Sequence, residues 1–187
     1  MPNSATTAII FIISSLAQLY ILVLLLRLLM PWLRIPFNNP LSQGILRLTS
    51  PLVVPVRRLI PPIGRLDTAT LVVAFAIQYL TILVIVLILR AAPAILPIAL
   101  TALLDLVILT IRLFVFAIIV RIILSWLSTG GSYNPAVSLI ESLTEPVLRP
   151  FRRLVPAIGG FDVSPVFAII LLMALTILIS GLRPLSI

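Results

Sequence analysis

The 187-residue sequence contains no cysteine and no histidine, and only 10% of its residues are charged. Without cysteine there is no disulfide framework and no thiolate ligand for a metal. Without histidine there is no imidazole for acid–base catalysis, metal binding or haem ligation. These absences exclude most familiar enzyme chemistries, and we expect a protein that is not an enzyme and that binds no cofactor or metal.

What the sequence has in abundance is apolar side chains. They make up 61% of the residues, and the mean hydropathy is +1.31. Such a chain cannot present a polar surface to water, so the composition predicts an integral membrane protein.

The formal charge of +8 comes from thirteen arginines against five acidic residues, since the chain has no lysine. In a membrane protein, arginines that flank apolar spans set the orientation, and arginine clusters attract anionic lipid head groups. Nucleic acid is not an expected partner, because stacking aromatic residues and a base-reading element are missing.

A segment of 17 residues occurs twice, as residues 51–67 and, 95 positions later, as residues 146–162. We call this segment the Pro/Arg box. Nine of its 17 positions are identical, and the copies share three prolines, a pair of arginines, a glycine and an aspartate. These residues are Pro51, Pro55, Arg57, Arg58, Pro61, Gly64 and Asp67, and Pro146, Pro150, Arg152, Arg153, Pro156, Gly159 and Asp162. The repetition predicts two copies of one unit, residues 1–93 and 94–187.

Four apolar runs, residues 8–30, 69–89, 98–127 and 163–182, are long enough to cross a bilayer as helices. Two copies with two spans each share one orientation, so they are parallel repeats. The predicted fold is therefore all-α, with four transmembrane helices in two parallel repeats. Each repeat should add a short amphipathic helix at the interface and a Pro/Arg box.

The segment before the first box is amphipathic. Leu41, Ile45, Leu48 and Leu52 fall on one helical face, and we expect this face to lie against the membrane surface. The box itself has too many prolines for a long regular helix, so it should form a short, bent piece. Gly64 can turn the chain, and Asp67 can cap the next helix.

The distribution of arginine predicts the topology. The loops after the first and third spans hold Arg34, Arg47, Arg57, Arg58, Arg65, Arg149, Arg152 and Arg153. The opposite side has only Arg90 and Arg183. Both boxes should therefore be cytoplasmic and both termini periplasmic. For the arginine pairs of the boxes, three compatible roles remain open: setting topology, binding anionic lipid and docking a protein.

Four ionisable residues arrive at one membrane depth. Arg27 and Arg121 lie near the cytoplasmic ends of their spans, and Asp67 and Asp162 open the spans that follow. A charge in a low-dielectric rim is stabilised by a partner, so we expect Arg27 to pair with one of these aspartates and Arg121 with the other.

Polar residues also lie within the apolar runs: Gln18, Gln78, Asp105 and Arg112. Asp105 and Arg112 are seven residues apart, on nearly the same helical face, and could form a structural pair through a local water or a neighbouring side chain. Alternatively, Arg112, Gln18 and Gln78 could line a path for a solute or an ion.

The order of the motifs, N-P, then P-x-x-x-P-x-R-R-x-[IV]-P-x-x-G, then D at the next helix, twice in one chain, resembles the YggT family of YlmG/YggT type. The resemblance implies a multi-pass protein of the bacterial inner membrane. Bacterial relatives are linked to cell-division genes or to osmotic stress and ion uptake, and plastid relatives to cytochrome maturation and nucleoid distribution. Direct haem ligation would be a departure here, because the chain lacks histidine and cysteine.

Two functional hypotheses follow. The first, which is favoured, is an accessory protein, scaffold or assembly factor in envelope organisation or osmotic and ion homeostasis. Its partners would be anionic lipids and a membrane protein or a second copy of the chain. The alternative is a component of a small ion or solute transporter or channel that uses Arg112, Gln18 and Gln78. Against the alternative, so few polar groups leave little to replace the hydration shell of an ion.

Overall fold

The chain is helical in the computed structural model, which describes residues 3–33, 39–127, 134–154 and 162–185. The helices are α1 (Ser4–Leu29), α2 (Pro40–Leu59), α3 (Thr68–Ile88), α4 (Ile95–Leu127), α5 (Pro135–Leu154) and α6 (Ser164–Ser180). Over these ranges no strand occurs beyond an isolated bridge between Ile63 and Leu66. The prediction of an all-α protein is confirmed.

Helices α1, α3 and α4 are long and apolar enough to cross a membrane. The shortest of them, α3, has 21 residues, which at 1.5 Å per residue spans about 30 Å. The fourth apolar run forms α6, a helix of 17 residues that is shorter than such a span normally requires. Helix α4 begins at Ile95, earlier than expected, because Pro97 falls in its first turn, where a missing N–H costs no hydrogen bond.

Helix α3 packs between α1 and α4, and α6 packs on the other side of α4. The two proline-containing helices occupy equivalent places, since α2 contacts α1 and α3 whereas α5 contacts α4 and α6. Their first turns are joined where Asn39 donates a 2.7 Å hydrogen bond to the carbonyl of Pro135. Apolar side chains such as Ile21, Leu24 and Leu113 fill the core between α1, α3 and α4.

The expectation of a short, bent piece in the boxes is wrong. Helix α2 continues through Pro51 and Pro55 for 20 residues, and α5 continues through Pro146 and Pro150 for the same length. All four prolines are exposed. Because each pair is spaced by four residues, the carbonyls that lose their hydrogen-bond donors lie on one outer face, where water or lipid head groups can reach them.

Helix α2 packs against the bundle with a stripe other than its predicted membrane-facing side. Its buried residues are Ser42, Ile45, Thr49 and Val53. Of the apolar face defined above, only Ile45 is buried, and Leu41, Leu48 and Leu52 are exposed. Helix α2 therefore packs against the bundle with a stripe that contains two hydroxyl groups. Its apolar stripe, rotated to one side, is left for other partners.

Candidate functional site

Polar side chains gather at two levels of the helical bundle. At one level each copy forms a cluster of charged and hydroxyl side chains around its Pro/Arg box. We call these the first and the second box cluster. At the other level, between α1, α3 and α4, polar side chains line a cavity, which we call the polar cavity.

Arg27 is the centre of the first box cluster. Its side chain is only 4% exposed. Its Nη1 donates a 2.7 Å hydrogen bond to Thr49 Oγ1, and its Nε lies 3.6 Å from Asp67 Oδ2. The same Asp67 oxygen accepts a hydrogen bond from Arg57 Nη2. Residues of α1, α2 and the start of α3 thus share one network, so a buried charge on α1 has a partner on each neighbouring segment.

Asp67 also begins α3. Its carboxylate accepts a 2.7 Å hydrogen bond from Thr70 Oγ1 and a 3.4 Å one from the Thr70 backbone N–H, so the expected N-cap is present. Burial raises the pKa of Asp67, but the Thr70 hydrogen bonds and the charge of Arg57 outweigh it and leave the pKa below its usual value. The carboxylate is therefore held in its charged form.

The second box cluster repeats the arginine–threonine contact and then departs from the first. Arg121 Nη1 donates a 2.9 Å hydrogen bond to Thr144 Oγ1, and its Nη2 lies 3.1 Å from Glu145 Oε2. Arg152 contacts Glu145 at 3.1 Å and Asp162 at 2.8 Å. Asp162 is half-exposed, and it accepts a 3.0 Å hydrogen bond from the Ser164 N–H at the start of α6.

The expected ion pairs therefore have different outcomes in the two copies. Arg27 contacts Asp67, whereas Arg121 contacts Glu145 and not Asp162. The cause is one exchange between the copies, because Glu145 occupies the place that Ser50 has in the first. A carboxylate on α5 beside Arg121 supplies a nearer partner than the aspartate that opens α6.

The two arginines of each box do different things. The first of each pair, Arg57 or Arg152, contacts the aspartate ten residues later. The second, Arg58 or Arg153, is exposed, and no ion pair within the described ranges involves it. The sequence analysis treated the four as equivalent. The constant spacing of ten residues between arginine and aspartate was the available signal.

Gly64 brings Asp67 back to Arg57. It has a φ of 60°, and the chain reverses there through two mutual hydrogen bonds between Ile63 and Leu66 of 3.1 and 3.0 Å. The carbonyl of Pro61 accepts a 2.7 Å hydrogen bond from Thr68 Oγ1. The equivalent residues Pro156 and Gly159 lie outside the described part of the chain.

A cavity of about 590 Å³ lies beside the second box cluster. Arg121 and Arg152 line it together with Glu141, Asp162 and Trp126. Beside the first cluster the corresponding cavity measures about 310 Å³ and includes Arg27, Arg57 and Gly64 among its lining. Each box thus offers charged groups at a surface recess, and Trp126 is exposed at the edge of the larger one.

The polar cavity has a volume of about 210 Å³. All four polar residues that the sequence analysis found within the apolar runs line it: Gln18, Gln78, Asp105 and Arg112. Arg183, which follows α6, lines it as well. In the sequence Arg183 is only a charge that flanks the fourth apolar run. No pattern in the chain indicates that its side chain reaches Asp105 on α4.

Asp105 does not pair directly with Arg112. Its Oδ2 accepts a 3.0 Å hydrogen bond from Gln78 Nε2, and its Oδ1 accepts a 3.1 Å one from Arg183 Nη1. Arg112 is exposed, and no hydrogen bond or ion pair within the described ranges involves it. Asp105 is instead held by partners on α3 and after α6.

Comparison with known proteins gives a family match over most of the chain. A family model described as CCB3/YggT matches residues 6–88 and again residues 100–183. An uncharacterized protein of Pseudomonas aeruginosa is 40% identical over 175 residues, which are 92% of this chain and 88% of that protein. The uncharacterized protein YggT of Escherichia coli K12 is 39% identical over 87% of this chain and 84% of its own length.

A shorter relative matches only part of the chain. The uncharacterized protein ycf19 of Porphyra purpurea is 30% identical over 72 residues, which are 38% of this chain but 76% of that protein. That relative is therefore about half as long as this chain. No solved structure matches the chain significantly.

Proposed function

The chain belongs to the CCB3/YggT family of membrane proteins, and from this membership and the two box clusters we propose that it is a non-enzymatic membrane scaffold or assembly factor. In this proposal the two boxes hold anionic lipid head groups and a protein partner at the cytoplasmic face. Its physiological setting would be envelope organisation or osmotic and ion homeostasis.

The observation that carries the proposal is that the two arginines of each pair have different surroundings: the first contacts an aspartate and the second is exposed. Arg57 and Arg152 are bound to aspartates, so they hold the boxes in place. Arg58 and Arg153 are exposed at the ends of α2 and α5. An exposed arginine beside an apolar helical stripe is the arrangement that binds an anionic membrane surface.

The proposal includes four spans in two parallel repeats, with α6 as the fourth. A helix of 17 residues rises about 26 Å, which a bilayer accommodates by local thinning or by flanking residues. The equivalent packing of α2 and α5 supports the repeat, and so does the double family match. The arginine asymmetry supports cytoplasmic boxes in a bacterial inner membrane.

The test measures lipid binding by the purified full chain. Phosphatidylglycerol should bind more tightly than phosphatidylcholine, and the preference should weaken with salt. The double variant Arg58→Gln/Arg153→Gln should lose about 2 kcal/mol of this preference, since each arginine contributes about 1 kcal/mol near an anionic leaflet. Arg90→Gln, at the opposite end of the bundle, is the matched control. An equal loss in the control, or none in the double variant, contradicts the lipid role.

The partner is tested by crosslinking in cells. A photoreactive residue at Leu59, which is 84% exposed next to the arginine pair, should capture a defined membrane protein or a second copy of the chain. The same residue at Leu19, exposed on α1 away from the boxes, is the control position. Capture that is equal at both positions contradicts a docking surface at the box.

The polar cavity favours a second candidate, in which the chain moves a small ion or solute. The cavity gathers Gln18, Gln78 and Arg112, the residues that a path would need. Against an open pore, buried apolar side chains such as Ile21, Leu24 and Leu113 separate the cavity from the box clusters. Solute flux in proteoliposomes that is lost in Arg112→Ala would establish transport, and its absence with intact lipid binding would leave the scaffold.

A further inference from the structure

Among the described residues that line the polar cavity, Asp105 is the one carboxylate, and its two oxygens accept hydrogen bonds from Arg183 and Gln78. The hydroxyl groups of Ser14 and Thr101 donate to carbonyls of their own helices. A hard cation needs several oxygen ligands, of which carboxylates are the strongest. The described lining offers only one carboxylate, and the guanidinium groups of Arg112 and Arg183 line the same cavity, so a cation is a poor fit.

Hydrogen-bond donors, in contrast, are in excess. Arg112 carries five N–H groups and Gln18 carries two, and no hydrogen bond within the described ranges involves either side chain. Side chains on a helix lean toward its N-terminus, so Arg112 leans along α4 toward the level of Asp105. The cavity therefore directs unused donors toward its interior.

The charges of the cavity do not balance. Its described lining holds two guanidinium groups, of Arg112 and Arg183, and one carboxylate. The other four acidic residues of the chain belong to the box end of the bundle: Asp67, Glu141, Glu145 and Asp162. A positive charge at membrane depth, where the dielectric constant is low, strongly attracts an anion.

The cavity has a size and an opening that suit a small ligand. Its volume of about 210 Å³ compares with about 30 Å³ for one water in the liquid. Gln18 and Arg112 are exposed at its edge, and Leu24 and Leu113 belong to the apolar core that lies toward the boxes. The geometry is that of a recess with one closed end.

We propose that the polar cavity binds one oxyanion, a phosphate or carboxylate group, through the guanidinium of Arg112 and the side-chain amide of Gln18. A guanidinium presents two parallel N–H groups, which match the oxygens of such a group. The oxyanion comes either from a dissolved ion or from the head group of an anionic lipid at the exposed edge. This site goes beyond the scaffold function, and it requires neither lipid binding at the boxes nor transport.

The test uses the full chain in phosphatidylcholine nanodiscs, titrated with inorganic phosphate at constant ionic strength. Thermal unfolding and calorimetry should both report saturable binding. Arg112→Gln should weaken it about tenfold or more, since a charge-assisted pair is lost. Arg112→Lys should retain part of the affinity, and Gln18→Leu should weaken it less than Arg112→Gln does. Arg47→Gln, which removes an exposed arginine of α2 that belongs to neither proposed site, should bind phosphate as the parent does.

A second arm distinguishes the source of the oxyanion. Nanodiscs with added phosphatidylglycerol are analysed by native mass spectrometry for lipid that remains bound. In the Arg58→Gln/Arg153→Gln background, which removes the proposed lipid contacts of the boxes, lipid that is retained and is then lost when Arg112→Gln is added identifies a head group as the ligand. Binding of phosphate alone identifies a dissolved ion.

The proposal is overturned if neither phosphate nor phosphatidylglycerol distinguishes the parent from the folded Arg112→Gln variant. It is also overturned if Arg47→Gln loses phosphate as fully as Arg112→Gln. Should Arg112→Gln fail to fold, Arg112→Lys and Gln18→Leu decide, and unchanged phosphate and lipid binding in both overturns it. Lipid binding at the boxes is measured separately. Failure of the scaffold function would therefore leave the oxyanion site standing, and failure of the oxyanion site would leave the scaffold function standing.

Discussion

Arg27 on α1 and Thr49 on α2 are joined by a hydrogen bond of 2.7 Å that is buried in the protein. The threonine hydroxyl group donates its own hydrogen bond to the carbonyl of Ile45, so it accepts from the arginine and donates within α2. Arg121 and Thr144 repeat the same contact at 2.9 Å in the second copy. One hydroxyl group on each proline-containing helix therefore holds a charged residue of the apolar helix before it.

Replacing Thr49 by valine tests this contact, because valine has nearly the same shape and no hydroxyl group. Arg27 Nη1 would keep only a weak contact with Ser50, at 3.4 Å. A buried donor that loses its acceptor costs about 1–3 kcal/mol, and more when it is charged. We expect Thr49→Val to lower the stability of the detergent-solubilised protein by about that amount, measured by thermal unfolding.

Two controls accompany that variant. Thr144→Val should cost less, because Arg121 also contacts Glu145. Thr110→Val should cost least, since the Thr110 hydroxyl group bonds only to its own helix at Leu106. Equal losses in all three variants would show that the arginine contact adds nothing specific.

Asp67 and Asp162 occupy equivalent positions but should respond differently to removal of their charge. The Asp67 side chain is 6% exposed and contacts Arg27 and Arg57, whereas that of Asp162 is 44% exposed and contacts Arg152. Breaking a buried pair costs about 3–5 kcal/mol, and an exposed pair is worth about 0–1 kcal/mol. Asp67→Asn should therefore reduce folded yield and unfolding temperature far more than Asp162→Asn, and the opposite order would contradict the two clusters.

The same carboxylates predict how stability depends on pH. The pKa values of Asp67 and Asp162 are both lowered in the folded protein: burial acts against this shift, but the hydrogen bonds and charges around each carboxylate outweigh it. A lowered pKa means that the folded state favours the charged form. Its stabilisation is complete above the unfolded pKa of about 3.9 and is lost as the pH falls through the folded pKa.

We therefore expect the unfolding temperature of the parent to be nearly level from about pH 7 to 5 and to fall below about pH 4. Asp67→Asn should start lower and show a smaller fall over the acidic range, because the more deeply buried of the two carboxylates is gone. Parallel curves for parent and variant would assign the acid sensitivity to other groups.

Residue patterns predicted the helices well where one physical effect determines the local structure. The apolar runs 69–89 and 98–127 became α3 and α4 because only a helix satisfies the backbone in an apolar medium. Asp67 caps α3 as expected, since capping is local. The prediction failed at Pro51 and Pro55, where proline propensity alone indicated a short, bent piece and not a helix of 20 residues. An exposed helical face tolerates the lost hydrogen bonds, and exposure is a tertiary property.

The clusters were less predictable because they depend on which side of each helix meets a neighbour. No sequence pattern singled out Thr49 as a contact of Arg27, yet it is fully buried against that residue. Ser50 and Glu145 hold matching positions, and this one difference redirects Arg121. The convergence of Gln18, Gln78 and Arg112 in one cavity was weighed as a possibility from the sequence, whereas the contact between Arg183 and Asp105 joins residues 78 positions apart.

Two glycines of the first copy should respond to alanine in opposite directions. Gly44 lies inside α2 with open space around it, so Gly44→Ala should stabilise the protein by about 0.5–1 kcal/mol through helix propensity. Gly64 also has open space but a φ of +60°. Gly64→Ala should destabilise by about 1 kcal/mol from backbone strain alone. Thermal unfolding of the two single variants measures this difference, and a gain in both would mean that the Gly64 turn relaxes without cost.

The topology can be tested directly because the chain has no native cysteine. Leu59 is the last residue of α2, beside Arg57 and Arg58, and Ser4 is the first residue of α1. These positions lie at opposite ends of the bundle, since α1 runs from Ser4 to the level of the first box cluster at Arg27. The arginine asymmetry predicts that the box end lies in the cytoplasm, because arginine-rich loops are retained there. Ser4→Cys should therefore react with an impermeant maleimide on intact spheroplasts, and Leu59→Cys should react only after lysis.

Labelling of both variants after lysis shows that each thiol is accessible in its own compartment. Labelling of Leu59→Cys alone on intact spheroplasts would reverse the orientation, and it would move the proposed lipid surface of Arg58 and Arg153 to the outer leaflet.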